Sequence, residues 1–135
     1  MEGYAEQAEA VGTGVAAIVE RACDEGTPIV IEGVHVAPGM LSEELGSRCL
    51  VVESVLVVED EDLHRAHFEA RGDRRPPERY LARFDQIRHI QDHLTGKASA
   101  LGVAVIDNAN IDEALGRVMD LVIHAVHGLS GSEDA

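Results

Sequence analysis

An α/β fold, with a mainly parallel sheet flanked by helices, is predicted by three features of the 135-residue sequence. Short runs dominated by Val, Ile and Leu alternate with longer stretches whose apolar residues recur at steps of three and four. Strands buried on both faces read as continuous apolar runs, which is the mark of a parallel sheet. The composition, 45% hydrophobic and 27% charged, is that of a globular protein, and the length suits a single domain over 1–135. Aromatic residues make up only 3%, so the core must be built from Val, Leu, Ile and Ala.

Residues 5–24 set Ala8, Val11, Val15, Ile18 and Ala22 on one face of a helix, and Gly26 follows as a C-cap. Thr27-Pro28 opens Ile29-Val30-Ile31, which reads as a buried strand ending at Glu32-Gly33. A Pro38-Gly39 turn comes next, and Ser42 caps a short helix that closes at Gly46. Leu50 to Val58 is a second strand. Asp60 to Arg71 is a helix with Leu63, His67 and Phe68 on one side. Gly72 to Pro77 must be a loop.

A long helix from Glu78 to Leu101 turns Leu81, Phe84, Ile87, Leu94, Ala98 and Leu101 inward. Val103 to Ile106 is a third strand. Asn110, with Glu113 three residues later, marks the start of a final helix carrying Ile111, Leu115, Val118, Val122 and Ala125. Residues 128–135 read as a frayed tail. Three strands are few for such a sheet.

The net charge of -14 disfavours a nucleic-acid binder, which needs positive charge to displace counterions from phosphates. It equally disfavours an anionic membrane surface, and no apolar run approaches the roughly 18 residues of a membrane span. Met1 to Glu6 lacks the basic flank and apolar stretch of a signal peptide. The expectation is therefore a cytoplasmic protein in which Cys23 and Cys49 are free buried thiols.

Two groups of residues are placed for chemistry. Glu32 stands at the carboxyl end of a predicted strand with His35 three residues on, and ligands of open parallel sheets bind at such ends. Arg71, Arg74, Arg75, Arg79, Arg83 and Arg88 fall within 18 positions that carry a net +3 against -17 elsewhere. A local positive patch on an acidic chain suits a small, highly charged anion, since the planar guanidinium matches phosphate and carboxylate oxygens. The patch spans a Gly/Pro loop between helices, the construction of a lid over about 64–88. The pairs His64/His67, His89/His93 and His124/His127 each share a helix face, but position 90 is Ile rather than the Glu of H-E-x-x-H, so no metal site is expected. No G-x-S-x-G supports a nucleophilic serine.

Ile29-Val-Ile-Glu-Gly-Val-His35 with Pro38-Gly39, then Val57-Val58-Glu59-Asp60-Glu61 with His64, Phe68 and Arg71, then Arg75-Pro76 with Tyr80, Phe84, Ile87-Arg88 and Ile90-Gln91, and finally Val105-Ile106-Asp107-Asn108, together resemble the archaeal 2-phosphoglycerate kinases. The resemblance runs from about residue 10 to 122. It implies a P-loop kinase fold, use of ATP with Mg²⁺, and a small phosphorylated metabolite as acceptor, 2-phosphoglycerate becoming 2,3-bisphosphoglycerate. It implies that Glu32 is a Walker-B-like acid and that Arg71 and Arg75 are catalytic lid residues. His35, Arg71, Arg75 and Arg88 are the implied substrate contacts. His67 departs from the family, where an arginine is expected.

The sequence contains no G-x-x-x-x-G-K-[ST], and its one lysine is Lys97. The resemblance is thus to the carboxyl-terminal part of such a kinase, without the P-loop strand that the family places between the strands matching 28–33 and 51–58. The expectation that follows has three forms: a longer protein, a sheet completed by a second copy or a partner chain, or strands that close up. The chain alone is then expected to be inactive. The competing expectation is a non-catalytic module that binds or senses a phosphorylated metabolite.

Overall fold

The computed structural model describes residues 2–71 and 76–130. The described elements are α1 (Glu2–Glu25), α2 (Glu43–Arg48), β1 (Ser54–Val57), α3 (Glu61–Glu69), α4 (Pro77–Leu81), α5 (Phe84–Leu101), β2 (Ala104–Asp107) and α6 (Ile111–Ser130). The chain divides into two compact units, Met1–Val52 and Glu53–Ala135.

In the first unit α1 ends at Gly26, whose φ of 62° no side-chain-bearing residue adopts cheaply. Thr27 donates its N–H to the Ala22 carbonyl and Gly26 donates to that of Cys23, which closes the helix in a Schellman turn. Ser42 caps α2 by accepting from the Leu45 N–H, and Leu45 is buried. Two expectations fail here. Ile29-Val30-Ile31 is no strand: Val30 is 96% exposed, and no described strand pairs with this segment's backbone groups. A strand exists only where a neighbour takes its hydrogen bonds, so local β propensity alone does not make one. The expected free thiols are also overturned, because Cys23 and Cys49 form a disulfide with Cα atoms 5.9 Å apart. Arg48 brings the two helix ends together, pairing with Asp24 and lying 3.7 Å from Glu20.

In the second unit β1 and β2 pair in parallel, with Ser54 opposite Ala104 and Val57 opposite Asp107. The predicted α/β class holds, with a described sheet of two strands rather than three. Its core comprises Val55, Val57, Val58, Phe68, Phe84, Leu94, Ala98, Ile106 and Ala114. α5 packs on both strands and α6 on β2. The long helix foreseen from Glu78 to Leu101 is broken between α4 and α5, and Leu101 is exposed. Gly102, at φ 69°, ends α5 with the same turn as Gly26: Val103 donates to Ala98 and Gly102 to Ser99.

Asn110 starts α6 as predicted, its side-chain oxygen accepting from the N–H groups of Asp112 and Glu113. The buried face of α6 differs from the predicted one. Ala114 is buried while Ile111, Leu115 and Val122 are exposed. The apolar arc of the helix is wider than β2 can cover. α6 runs helical to Ser130, so residues 128–130 of the expected tail are ordered helix and 131–135 lie outside the described residues.

Five core residues of the first unit are Val15, Ala22, Ala37, Pro38 and Leu45, a small apolar reserve. The disulfide spans 26 positions, a loop whose closure in the unfolded chain is worth about 3 kcal/mol. Cys23→Ala/Cys49→Ala is expected to lower unfolding stability by about that amount. Urea melts of the double variant and of reduced wild type should show the same fall in midpoint, and an unchanged midpoint on reduction would contradict it.

Candidate functional site

The carboxyl ends of β1 and β2 are tied together residue by residue. Asn108 donates its backbone N–H to the Val57 carbonyl at 2.7 Å, and Asp107 accepts from the Glu59 N–H at 3.2 Å. Val58 is gripped from α5. Gln91 accepts from its N–H at 3.0 Å and donates to its carbonyl at 3.2 Å. Arg88 donates to the carbonyls of Val58 at 2.5 Å and Glu59 at 3.0 Å. Positions 88 and 91 are one helical turn apart, so one face of α5 supplies both clasps.

Beside this knot lies a cavity of about 190 Å³ lined by Leu56, Val57, Val58, His64, His67, Phe68, Arg71, Gln91 and Asn108. An aromatic cluster supports it. Phe68 stacks on Tyr80 at 5.2 Å between centroids, and Phe84 meets both Phe68 and His64 edge to face. The Arg71 guanidinium carbon lies 4.6 Å from the Phe68 centroid and 5.8 Å from that of Tyr80. Cations are attracted to such ring faces, which orients the Arg71 fork at the rim of the cavity.

His64 stacks on Phe68, and its Nδ1 lies 3.4 Å from Arg88 Nη1. Partial burial holds the His64 ring below the usual histidine range, and the positive charges of Arg88, His67 and Arg71 push the same way.

The residues singled out from sequence are distributed as follows. Arg71 lines the cavity, and Arg88 stands behind it with its guanidinium turned to backbone carbonyls and to Glu61, 3.9 Å away. Arg74 and Arg75 lie outside the described residues. Glu32 and His35 belong to the first unit. Glu32 is exposed in an extended segment. His35 donates from Nε2 to Gln7 at 3.0 Å and stacks on Tyr4, whose hydroxyl donates to the Val34 carbonyl at 2.8 Å. These contacts fasten the Val34-His35 corner to α1. Burial raises the Tyr4 hydroxyl above its ordinary range.

Sequence reasoning tested His64 and His67 as metal ligands and met them again in the family motif and the lid, and it passed over Asn108 as a lining group. Asn108 carried a signal, since it directly follows β2 where parallel sheets hold ligands, and His64 and His67 lie on the helix that leaves the end of β1.

Among the described residues no group of three or more His, Cys, Asp or Glu side chains is placed to hold a metal ion. The acids nearest the strand ends are engaged: Asp107 with the Glu59 N–H, and Asp60 with the Leu63 N–H. Among the described residues no ready-made set of ligands for a magnesium ion is therefore assembled. No described helix is long and apolar enough to cross a membrane.

Curated relatives match most of the chain. It is 41% identical over 113 residues to the 2-phosphoglycerate kinase of Methanothermobacter thermautotrophicus, covering 81% of this chain and 37% of the relative. Identity is 35% over 124 residues with the enzyme of Methanocaldococcus jannaschii, covering 90% and 40%. It is 34% over 119 residues with that of Pyrococcus horikoshii, covering 87% and 39%. The resemblance read from the motifs is borne out: most of this chain is similar to a part of the 2-phosphoglycerate kinases. The chain spans about two fifths of the length of these relatives. No protein-family profile matches it, nor does any solved structure match significantly.

Replacing Arg88 removes the charged donor to the Val58 and Glu59 carbonyls and leaves Val58 to Gln91, a loss of about 2 kcal/mol for hydrogen bonds from a charged group. Arg88→Ala should also let the His64 pKa climb toward the ordinary value, because one of the charges holding it down is gone. Proton NMR of the imidazole resonances during a pH titration reads this directly, and an unmoved His64 would count against the contact. In the wild type the unfolded state binds the His64 proton more readily than the native state. Its contribution to stability is therefore complete above about pH 6.5 and is lost as pH falls through the lowered native value.

Proposed function

We propose that this chain is the acceptor-and-lid part of an ATP-dependent kinase that phosphorylates 2-phosphoglycerate to 2,3-bisphosphoglycerate. The observation that carries the reading is Arg71, oriented on Phe68 and Tyr80 at a cavity beside the carboxyl ends of parallel strands, in a chain matching kinases of that name. The match runs through both compact units, which supports their acting as one kinase domain.

The γ-phosphoryl group moves to an acceptor hydroxyl, which gives up its proton, while ADP departs. Phosphoryl transfer needs positioning and neutralisation of the moving oxygens more than covalent help from the protein. Arg71 and Arg75 fit that task as lid cations. Arg88, locked on the Val58 and Glu59 carbonyls, acts by holding the strand end in place. Glu32 is proposed as the acid that assists the nucleotide site, and His35 as the anchor of its loop. ATP would supply the phosphoryl group and Mg²⁺ would balance its charge. The ligands for that ion and the glycine-rich phosphate loop would have to be supplied by further chain or by a partner. A strand from the same source would pair with the outer edge of β1, and the cytoplasm is the compartment that would provide the nucleotide.

The test is a chimera joining the amino-terminal remainder of the Methanothermobacter kinase to this chain, assayed by phosphorus NMR with ATP, Mg²⁺ and 2-phosphoglycerate. The chimera is expected to form the bisphosphate and the 135-residue chain alone to form none. Arg71→Ala in the chimera should lower kcat by about two to three orders of magnitude, as for loss of one transition-state donor. A chimera that folds and binds ATP yet leaves 2-phosphoglycerate untouched would overturn the acceptor assignment. It would turn attention to a module that only binds a phosphorylated metabolite.

A further inference from the structure

We infer that Cys23 and Cys49 form a reversible redox latch, opened and closed by exchange with a small thiol. The latch holds α2 against the carboxyl end of α1 and closes the loop that carries Glu32 and His35. These are the chain's two cysteines, so no third thiol competes for either partner. Cys23 stands in the last turn of α1 and Cys49 directly follows α2, with Cα atoms 5.9 Å apart. Both are half-buried, and their neighbours Asp24, Ser47 and Arg48 are exposed, which leaves the bond open to a small thiol from solvent.

The other ties between the two helix ends are weak ones. Arg48 pairs with Asp24 and lies 3.7 Å from Glu20, and ion pairs at such exposed positions contribute little. Leu45 is the one buried residue of α2. Within the closed loop, Tyr4 and Gln7 of α1 hold the Val34-His35 corner. The stretch 27–33 that leads to this corner has no helix or strand and leaves Ile29, Val30 and Glu32 exposed. The disulfide is therefore the strongest tie across the mouth of the loop.

The kinase reading supplies the compartment, and the inference rests on it for that point alone. Disulfides of the cytoplasm are usually transient, because small thiols and thioredoxin keep cysteines reduced there. A disulfide in a protein that draws on cytoplasmic ATP is then one that opens and closes. In opening, a small thiolate attacks one sulfur, the S–S bond breaks, and the other cysteine leaves as a thiolate and takes a proton. A second small thiolate displaces the protein from the mixed disulfide. Two electrons pass to the protein, and the small thiol departs as its own disulfide. Closing is the reverse, with that small disulfide as oxidant.

The test uses the 135-residue chain with reduced and oxidised glutathione as the couple, and it needs no kinase activity. The chain is equilibrated over a series of glutathione ratios and quenched in acid, and its free thiols are alkylated and counted by mass spectrometry. Half-oxidation is expected within the range of ratios that a cytoplasm maintains, with full closure on return to oxidised glutathione. A pair that stays oxidised in reduced glutathione alone, yet opens to a phosphine once urea has unfolded the chain, is a permanent staple and overturns the latch.

Amide hydrogen exchange reads what opening does. In the reduced chain and in Cys23→Ser/Cys49→Ser, the hydrogen-bonded amides of Thr27, Val36, Leu45 and Gly46 should exchange about a hundredfold faster, the factor that loop closure is worth. The amides of β1 and β2 should keep their rates, which shows that the second unit stays folded. Equal rates for the four amides in both redox states overturn the inference. So does an equal acceleration in β1 and β2, which would make the disulfide a staple of the whole chain. The kinase reading falls on the chimera assay and the latch on these two measurements, so either can fail without the other.

Discussion

Val58 is a buried residue one position past the hydrogen-bonded ladder of β1, so its peptide group needs partners from elsewhere in the fold. Buried peptide groups have to find partners, and both of this one's come from a single face of α5. That demand fixes the rotation of α5 against the sheet and so sets which of its residues enter the core: Phe84, Leu94 and Ala98. Phe84 in turn supports His64 and Phe68, and Phe68 supports Arg71. The cavity at the strand ends is the outer surface of this chain of contacts.

The same dependence explains why Arg88 does not behave as an ordinary surface cation. Its fork makes two hydrogen bonds to carbonyls that would otherwise lack a charged donor. Lysine, with a point charge and no planar fork, would not reproduce that pair. Arg71 is different in kind. It rests on aromatic faces at an exposed position, where a guanidinium keeps its hydrogen-bonding edge for something else. Two arginines from one charge cluster thus divide between holding the scaffold and facing the cavity.

Apolar surface that reads as core in the sequence is not all covered among the described residues. Leu56 alternates with the buried Val55 and Val57 yet is 53% exposed, although its register partner Ile106 is 2% exposed. Ile111, Leu115 and Met119 form an exposed row on α6. Parallel strands ordinarily have both faces covered, so these positions mark where a larger sheet would place further contacts. That fits a chain spanning about two fifths of its relatives.

Local chemistry determined what the sequence by itself could show. Gly26 at a helix end and Ser42 and Asn110 at helix starts act within a few residues of themselves and stand where the pattern put them, and β1 and β2 fall in or beside the apolar runs read as strands. The family was legible for the same reason, since its motifs are short and ordered. Tertiary structure decided whatever needed a distant partner. The disulfide required the ends of α1 and α2 to meet, and Ile29-Val30-Ile31 has no strand to pair with among the described residues. The assignment of Arg88 to backbone and Arg71 to the cavity rested on where Val58 and Phe68 fell in space. Propensity is a property of neighbours in the chain, whereas a hydrogen-bond partner 30 residues away exists only once the fold has formed.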